Sequence, residues 1–366
     1  YSRVWAFSWL ISVVFLLLVN RFTVAHLVTR WARAGLLTRN IVVVGAGRQG
    51  RQLLRHIEML DEPWNWVVGV FDDRLSRVGK NVDGYPVLGN IDELADYGRT
   101  HRADDILVAL PWSSEQRIHE VMRMLAALPS NVRLIPENIG SDLLNRRTTD
   151  QFGVPMLNLL EKPVPGWGAF SKALTDILFG VIFVLISLPI FLIIAFLIKR
   201  ESKGPVFFKQ KRYGFNNQLI EVYKFRTMYA DQTDKDADKL TTRDDPRVTG
   251  VGAVLRRFSL DELPQLLNVV KGEMSLVGPR PHAMKAKAAG RLYEEVVDGY
   301  AVRHKVKPGI TGWAQVNGWR GNTETEEAIE ERVRHDLWYI ENWSLLLDFY
   351  ILLRTVGIVS SGENSY

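Results

Sequence analysis

The sequence predicts an α/β membrane protein in three parts. A transmembrane helix occupies residues 1–25, a Rossmann-like α/β domain 26–140, and a mainly helical domain 171–366, with a linker at 141–170. The last domain is held to the bilayer by a re-entrant helical hairpin at 174–198. Three observations lead there. An apolar run near the start of the chain ends in basic residues. A strand, a glycine loop and a helix follow. A second apolar run has a proline at its middle and also ends in basic residues. A chain of 366 residues has room for two domains and a membrane part.

Only Ser8 and Ser12 interrupt the apolar run from Val4 to Val19. With Phe22 and Val24 it approaches the ~20 residues that cross a bilayer. Trp5 and Trp9 suit an interface, and Arg21, Arg30, Arg33 and Arg39 mark the following flank as cytoplasmic. The basic residues come after the apolar run, the reverse of a cleaved signal peptide. A buried core helix is the competing reading. The chain starts at Tyr1 rather than Met, and this helix is expected to be the last of several.

Ile41–Val44 reads as a buried parallel strand, followed at once by Gly45-Ala46-Gly47-Arg48-Gln49-Gly50 and a helix over 52–60. This is G-x-G-x-x-G in the context a dinucleotide fingerprint requires. A second strand at 66–71 ends at Asp72-Asp73, where Asp72 could bind a ribose hydroxyl. Gly45, Gly47, Gly50 and Asp72 are therefore candidate ligands of NAD or another nucleotide. Equally, the glycines serve the turn and the helix packing alone, and no hydride-transfer residues stand out downstream. Further strands fit 105–110 and 131–135, and helices fit 91–97 and 116–125.

Residues 177–198 are apolar except for Gly180, Ser187 and Pro189. The length suffices to span, yet Lys199, Arg200, Lys203, Lys209, Lys211 and Arg212 form a second cytoplasmic-type flank. Both ends share one side if the helix turns back at Ser187-Leu188-Pro189. Pro189 removes a backbone hydrogen bond there, and Ser187 can bond a freed carbonyl.

Apolar and basic residues then alternate through 206–226, as in strands at headgroup level. A helix is expected over 259–272, with Leu260, Leu263, Leu267 and Val270 on its apolar face. Pro264 restricts its start to 259–261, which puts Asp261 and Glu262 at a helix N-terminus, where the dipole favours ionised carboxylates. Ser259-x-x-Glu262 also matches a capping box, the purely structural explanation. Pro308-Gly309 is expected to turn. Trp313, Gln315, Asn317 and Trp319 suit a uridine or sugar pocket, and Gln315 is a candidate substrate ligand. Helices fit 325–336 and 337–356, the latter interfacial or buried.

Composition narrows the chemistry. Cysteine is absent, which excludes disulfides, zinc-thiolate sites and a cysteine nucleophile. The net charge of +5 is modest, and its basic residues cluster beside the apolar segments, as an anionic membrane surface favours. No nucleic-acid module is visible.

Several motifs together resemble one family: Gly204-Pro205-Val206-Phe207, Lys224-Phe225-Arg226-Thr227-Met228, Ser259 to Gln265, Ser275 to Pro281 and Lys307 to Gly312. They are similar to those of the bacterial polyprenyl-phosphate phosphoglycosyl transferases, monotopic sugar transferases of the inner membrane, over about residues 170–360. Gln315 to Gly321 is more like the members that transfer glucose-1-phosphate than those that transfer galactose-1-phosphate. The resemblance implies that Asp261 attacks the sugar-proximal phosphate of a UDP-sugar, releases UMP and holds a covalent phosphosugar. Undecaprenyl phosphate would then take the phosphosugar, starting exopolysaccharide or O-antigen synthesis. It implies Mg²⁺ with Asp261 as metal ligand, Glu262 as a helper, and Lys224, Arg256 and Arg280 as phosphate ligands. It implies catalysis on the cytoplasmic face, with inner-membrane lipids and a second copy of the chain as partners. The alternatives are a nicotinamide-dependent oxidoreductase or epimerase built on the Gly45 loop, and a non-catalytic membrane scaffold.

Overall fold

The computed structural model describes residues 3–33, 38–60, 62, 64–135, 148–151, 154–164, 166–230, 245–282, 287–288, 290–297, 299–321 and 325–361. The chain forms two compact units, residues 1–124 with 130–161, and residues 125–129 with 162–366.

The first unit opens with helix α1, Arg3–Arg33, of which Arg3–Thr23 is apolar and long enough to cross a membrane. Its few hydroxyls are satisfied within the helix, as an apolar surrounding demands: Ser8 Oγ donates to Val4 O at 2.9 Å, Ser12 Oγ to Ser8 O at 2.8 Å and Thr23 Oγ1 to Val19 O at 2.7 Å. The sheet that follows has eight strands. Strands and helices run β1 (Arg39–Val44), α2 (Arg48–Leu60), β2 (Asn65–Phe71), α3 (Leu75–Val78), β3 (Asn81–Val82), β4 (Tyr85–Gly89), α4 (Ile91–Thr100), β5 (Asp105–Val108), α5 (Glu115–Leu125), β6 (Asn131–Leu134), β7 (Thr148–Gln151) and β8 (Val154–Leu160). Their order is β3-β4-β2-β1-β5-β6-β8-β7, with β4, β2, β1, β5 and β6 parallel. Helix α4 carries a capping box, Asn90 with Glu93.

Beyond Ile135 the expected linker is replaced in part by structure. β7 and β8 form an antiparallel hairpin that extends the sheet on β6. Val154 and Met156, two residues apart and so on one face of β8, are buried in its core. Of the linker expected at 141–170, residues 141–147, 152–153 and 165 lie outside the described residues.

The second unit begins with α6, Gly166–Glu201, which runs through Pro189 as one helix, so the hairpin turn expected at Ser187-Leu188-Pro189 is not formed. The bond expected from Ser187 Oγ to a freed carbonyl is not made among the described residues. Both ends of α6 are fastened to this unit. Asp176 Oδ1 accepts from Leu276 N at 3.0 Å near the start, and the Glu201 carboxylate accepts from Val251 N at 3.1 Å at the end. Between them Leu185, Ile186, Leu192, Ile193 and Phe196 are exposed.

An antiparallel hairpin follows, β9 (Phe207–Tyr213) with β10 (Leu219–Phe225), as the alternation predicts. Next come α7 (Gly250–Arg257), α8 (Gln265–Val270), β11 (Ser275–Val277), a small antiparallel pair β12 (Lys287–Ala288) and β13 (Arg291–Leu292), and α9 (Tyr293–Val296). The unit closes with β14 (Gly309–Thr311), α10 (Trp313–Val316), α11 (Glu326–Glu341) and α12 (Leu345–Ser361). Its core gathers Val222, Leu266, Val269, Leu276, Val316, Tyr339 and Ile351.

Three further expectations are corrected. The helix expected over 259–272 is a 3₁₀ turn at Leu260–Glu262 followed by α8 from Gln265. Its buried side chains include Leu266 and Val269, while Val270 is exposed, because the shorter α8 turns a different face to α6 and β10. Gly309 begins β14, parallel to β11, instead of completing a turn with Pro308. The helix expected over 337–356 breaks at 342–344, where Asn342 caps α11 and α12 restarts. Of the two readings left open for this segment, α12 fits the amphipathic one, burying Ile351 and exposing Leu346, Leu353 and Val356.

Candidate active site

In the first unit, the glycine loop is closed by its own chain. Gly45 has φ +100°, and a Cβ on Gly50 would fall 2.0 Å from Gly45 O, so these positions admit only glycine. Asp72, expected at a ribose, is fully engaged. It accepts from Ala46 N at 2.7 Å, from Arg74 N at 2.8 Å, and from Arg74 Nε and Nη2 at 3.0 and 2.9 Å. Its carboxyl is held below the ordinary aspartate value because these bonds outweigh the cost of burial. Asp72 thus ties the loop to the following turn and leaves no acceptor free for a ribose. Gly47 has no such close contact, with Arg74 Nη2 3.7 Å from where a Cβ would lie.

The carboxylates of the second unit are arranged differently. Ser259 takes a left-handed conformation, φ 53°, and makes no cap hydrogen bond. The capping box is therefore absent, and Ser259 Oγ instead accepts from Arg320. Glu262 turns to two cations: Lys224 Nζ donates to it at 2.9 Å, and Arg280 holds it with two donors, one of them at 3.0 Å. Asp261, beside it and just as deeply placed, makes no hydrogen bond or ion pair among the described residues.

Each cation is placed by its own element. β9 and β10 pair Ile220 with Arg212 and Lys224 with Phe208, so period-2 alternation sets Arg212 and Lys224 on one face of the hairpin. Arg212 donates to Gln210 Oε1 at 2.8 Å and to Pro281 O. On α7, Gly252 lies so close to Thr227 O that a Cβ would fall 2.1 Å away. This approach brings Arg256, one turn on, to Thr227 Oγ1, to which its Nε donates at 2.9 Å. Lys224, Arg256 and Arg280 all act on the charge of Asp261, and Arg212 and Arg320 feel both carboxylates. Five cations thus surround two carboxylates, a net positive site suited to a diphosphate.

Burial raises the Asp261 carboxyl above the ordinary aspartate value; Lys224 opposes this and the Glu262 charge adds to it. Burial also works against ionisation of Glu262, yet Arg280 and Lys224 outweigh it and hold that carboxyl well below the ordinary glutamate range. The two adjacent acids are driven apart, which separates their roles. Burial together with Arg280 lowers the Arg212 guanidinium to about 10.

Among the described residues Gln315 does not join this cluster by any hydrogen bond. Its Nε2 donates to Ile310 O at 3.4 Å, and its Oε1 is buried without a partner among the described residues. Arg212 and Arg320 join this cluster although neither is a candidate from the sequence; the hairpin register is the signal that could have found Arg212. Among the described residues no group of three His, Asp or Glu side chains forms a metal cage. The open Asp261 carboxylate is the available oxygen ligand.

Residues 167–362 match the family described as bacterial sugar transferase, and residues 1–136 the one described as a CoA-binding domain. The chain is 37% identical over 361 residues to the undecaprenyl-phosphate glucose phosphotransferase of Komagataeibacter xylinus, covering 98% of this chain and 66% of the relative. It is 39% identical over 329 residues to the UDP-glucose:undecaprenyl-phosphate glucose-1-phosphate transferase of Escherichia coli strain K12, covering 89% and 69%. To the protein of the same description from Xanthomonas campestris pv. campestris it is 35% identical over 370 residues, covering 100% and 75%. The chain thus spans about two thirds to three quarters of the length of these relatives.

Proposed function

The chain belongs to the bacterial sugar transferase family, and from that premise we propose that it transfers glucose-1-phosphate from UDP-glucose to undecaprenyl phosphate, a step that feeds polysaccharide assembly. The observation that carries the residue roles is the asymmetry of the acidic pair: Glu262 is saturated by Lys224 and Arg280, while Asp261 is open.

In this reading an Asp261 oxygen attacks the sugar-proximal phosphorus of UDP-glucose. The bond from that phosphorus to the bridging oxygen breaks, UMP leaves, and an acyl phosphate joins Asp261 to glucose. An oxygen of undecaprenyl phosphate then attacks the same phosphorus and displaces the Asp261 carboxylate, giving the lipid diphosphate sugar. Lys224, Arg256, Arg280, Arg212 and Arg320 spread the charge of the reacting phosphates. Glu262 holds Lys224 and Arg280 at the reacting centre. Burial keeps Asp261 basic, hence a better nucleophile once ionised. Mg²⁺ suits the donor set, since it is commonly held by one or two carboxylates and substrate phosphates. Asp261 would be its protein ligand, and the ion would neutralise diphosphate charge.

For the membrane we propose a re-entrant α6. A spanning helix would put its two ends on opposite sides, whereas Asp176 and Glu201 are both bonded to the same folded unit. The exposed apolar middle would enter the cytoplasmic leaflet and bring the site to the lipid phosphate. In this otherwise cysteine-free chain, Phe170→Cys and Lys203→Cys should both react with an impermeant thiol reagent from the cytoplasmic side only. Reaction from opposite sides would refute re-entrance.

The reaction is tested by incubating the protein with UDP-glucose and Mg²⁺ without lipid. One equivalent of UMP per active protein is expected. No UMP release at all until lipid is added would instead indicate direct transfer.

A further inference from the structure

Two contacts from one turn of α11 lead by separate routes to the two carboxylates. Asp336 Oδ2 accepts from Arg303 Nη2 at 2.6 Å, and the same Nη2 donates to the carbonyl of Arg280 at 2.7 Å. Arg280 in turn grips Glu262. One turn earlier, Arg332 Nη2 donates to Gly321 O at 2.7 Å. The residue before Gly321 is Arg320, which donates to Ser259 Oγ, and left-handed Ser259 lies two residues before Asp261. His282 sits between the two arginines. Its Nδ1 lies 2.6 Å from both Arg303 Nη1 and Tyr300 Oη, and its Nε2 lies 3.3 Å from Arg332 Nη1.

Arg303, Asp336 and Arg332 are 1%, 2% and 4% exposed, so they offer little to a substrate. A buried ion pair gives little net stability over packed apolar side chains of the same volume. What this one does that apolar residues could not is bond the main chain beside Arg280.

We infer that Asp336, Arg303 and Arg332 are positioning residues: they fix the main chain at Arg280 and Gly321 and so set the placement of the Glu262 clamp relative to the Asp261 carboxylate. This rests on the reading of Asp261 as nucleophile. Two loops that differ widely in sequence position must meet around adjacent residues. α11 contacts both and is itself a regular helix capped by Thr325, which makes it the rigid reference. Geometry of this kind matters because a misplacement of about 1 Å can cost on the order of 10²-fold in rate.

The test uses the full chain and follows UMP release in a single turnover, the KM for UDP-glucose and the unfolding midpoint. The double variant Arg303→Met/Asp336→Leu removes the bond to Arg280 and takes out both charges of the pair together. It should keep its midpoint and a KM within about threefold, while UMP release slows on the order of 10²-fold. Parental release rate in the folded double variant would overturn the inference, since a merely structural pair is replaceable by apolar packing. Arg332→Lys keeps the charge and removes the bond to Gly321. It should slow the same step about tenfold at unchanged KM, and an unchanged rate would overturn the second route. If the parent chain itself released no UMP, the reaction would fall and the inference with it.

Discussion

Asp72 and Asp261 invite comparison, because each is an acidic residue at a turn that sequence motifs single out. Asp72 is spent: four donors from Ala46 and Arg74 take both oxygens. Asp261 has no direct partner among the described residues, although five cations lie near it. The difference teaches that a motif marks a place and the bonding around it decides the use. In the first unit the glycine fingerprint is a knot that holds strand, loop and helix together. In the second, a sequence that reads as a helix cap is an open carboxylate in a positive site.

The strongest way to break this contrast is to neutralise both aspartates in turn. Asp261→Asn should abolish UMP release, a loss on the order of 10⁴-fold or more for a nucleophile, with the fold retained. Asp72→Asn should leave UMP release per folded molecule unchanged. Loss of release in folded Asp72→Asn would erase the distinction. Glu262→Gln should come next in size. Its removal leaves Lys224 and Arg280 unanchored and raises the positive surplus, so UMP release should slow about 10²-fold while KM for UDP-glucose does not rise. A raised KM with unchanged rate would make Glu262 a substrate ligand instead.

Stability sharpens the contrast from the other side. Asp72→Ala strands the buried Ala46 N–H and should cost about 1–3 kcal/mol, read as a lower denaturation midpoint.

Smaller effects follow from pH. Asp261 has a raised carboxyl, so the rate of UMP release should fall on acidification earlier than for an ordinary aspartate; Glu262, held low, stays charged through that range. His282 and His304 add a stability effect. Burial keeps both neutral in the fold, His304 down to about 3. The unfolded chain takes up those protons below about 6.5, so it binds more protons than the fold and stability falls with falling pH. The slope is at most about 1.4 kcal/mol per pH unit for each histidine. His304→Phe should flatten the midpoint between pH 6.5 and 5, and an unchanged slope would mean that His304 is not buried neutral.

The parallel strands were legible because strands buried on both faces are continuous apolar runs, as in Ile41–Val44. The β7–β8 hairpin was not. Pro155 between Val154 and Met156 suggests irregular chain, yet proline is tolerated in a strand outside the sheet's hydrogen-bonded centre. Asp261, Glu262, Lys224, Arg256 and Arg280 were found through motifs, and the structure brings them together. The left-handed backbone at Ser259 is not written in the S-x-x-E spacing, because the same four letters cap a helix when Ser is extended. Arg212 and Arg320 lie some 50 to 60 residues from Asp261 in sequence; the hairpin register relates Arg212 to Lys224, whereas Arg320 comes to Ser259 only through tertiary folding.

The central claim is that Asp261 carries the phosphosugar. It is tested most directly by quenching the protein with UDP-glucose and Mg²⁺ before lipid is added, then mapping the adduct by peptide mass. A phosphohexose on the peptide containing Asp261, absent in Asp261→Asn and lost on adding undecaprenyl phosphate, is the predicted result. An adduct on another residue, or none while lipid-dependent transfer proceeds at full rate, would contradict it.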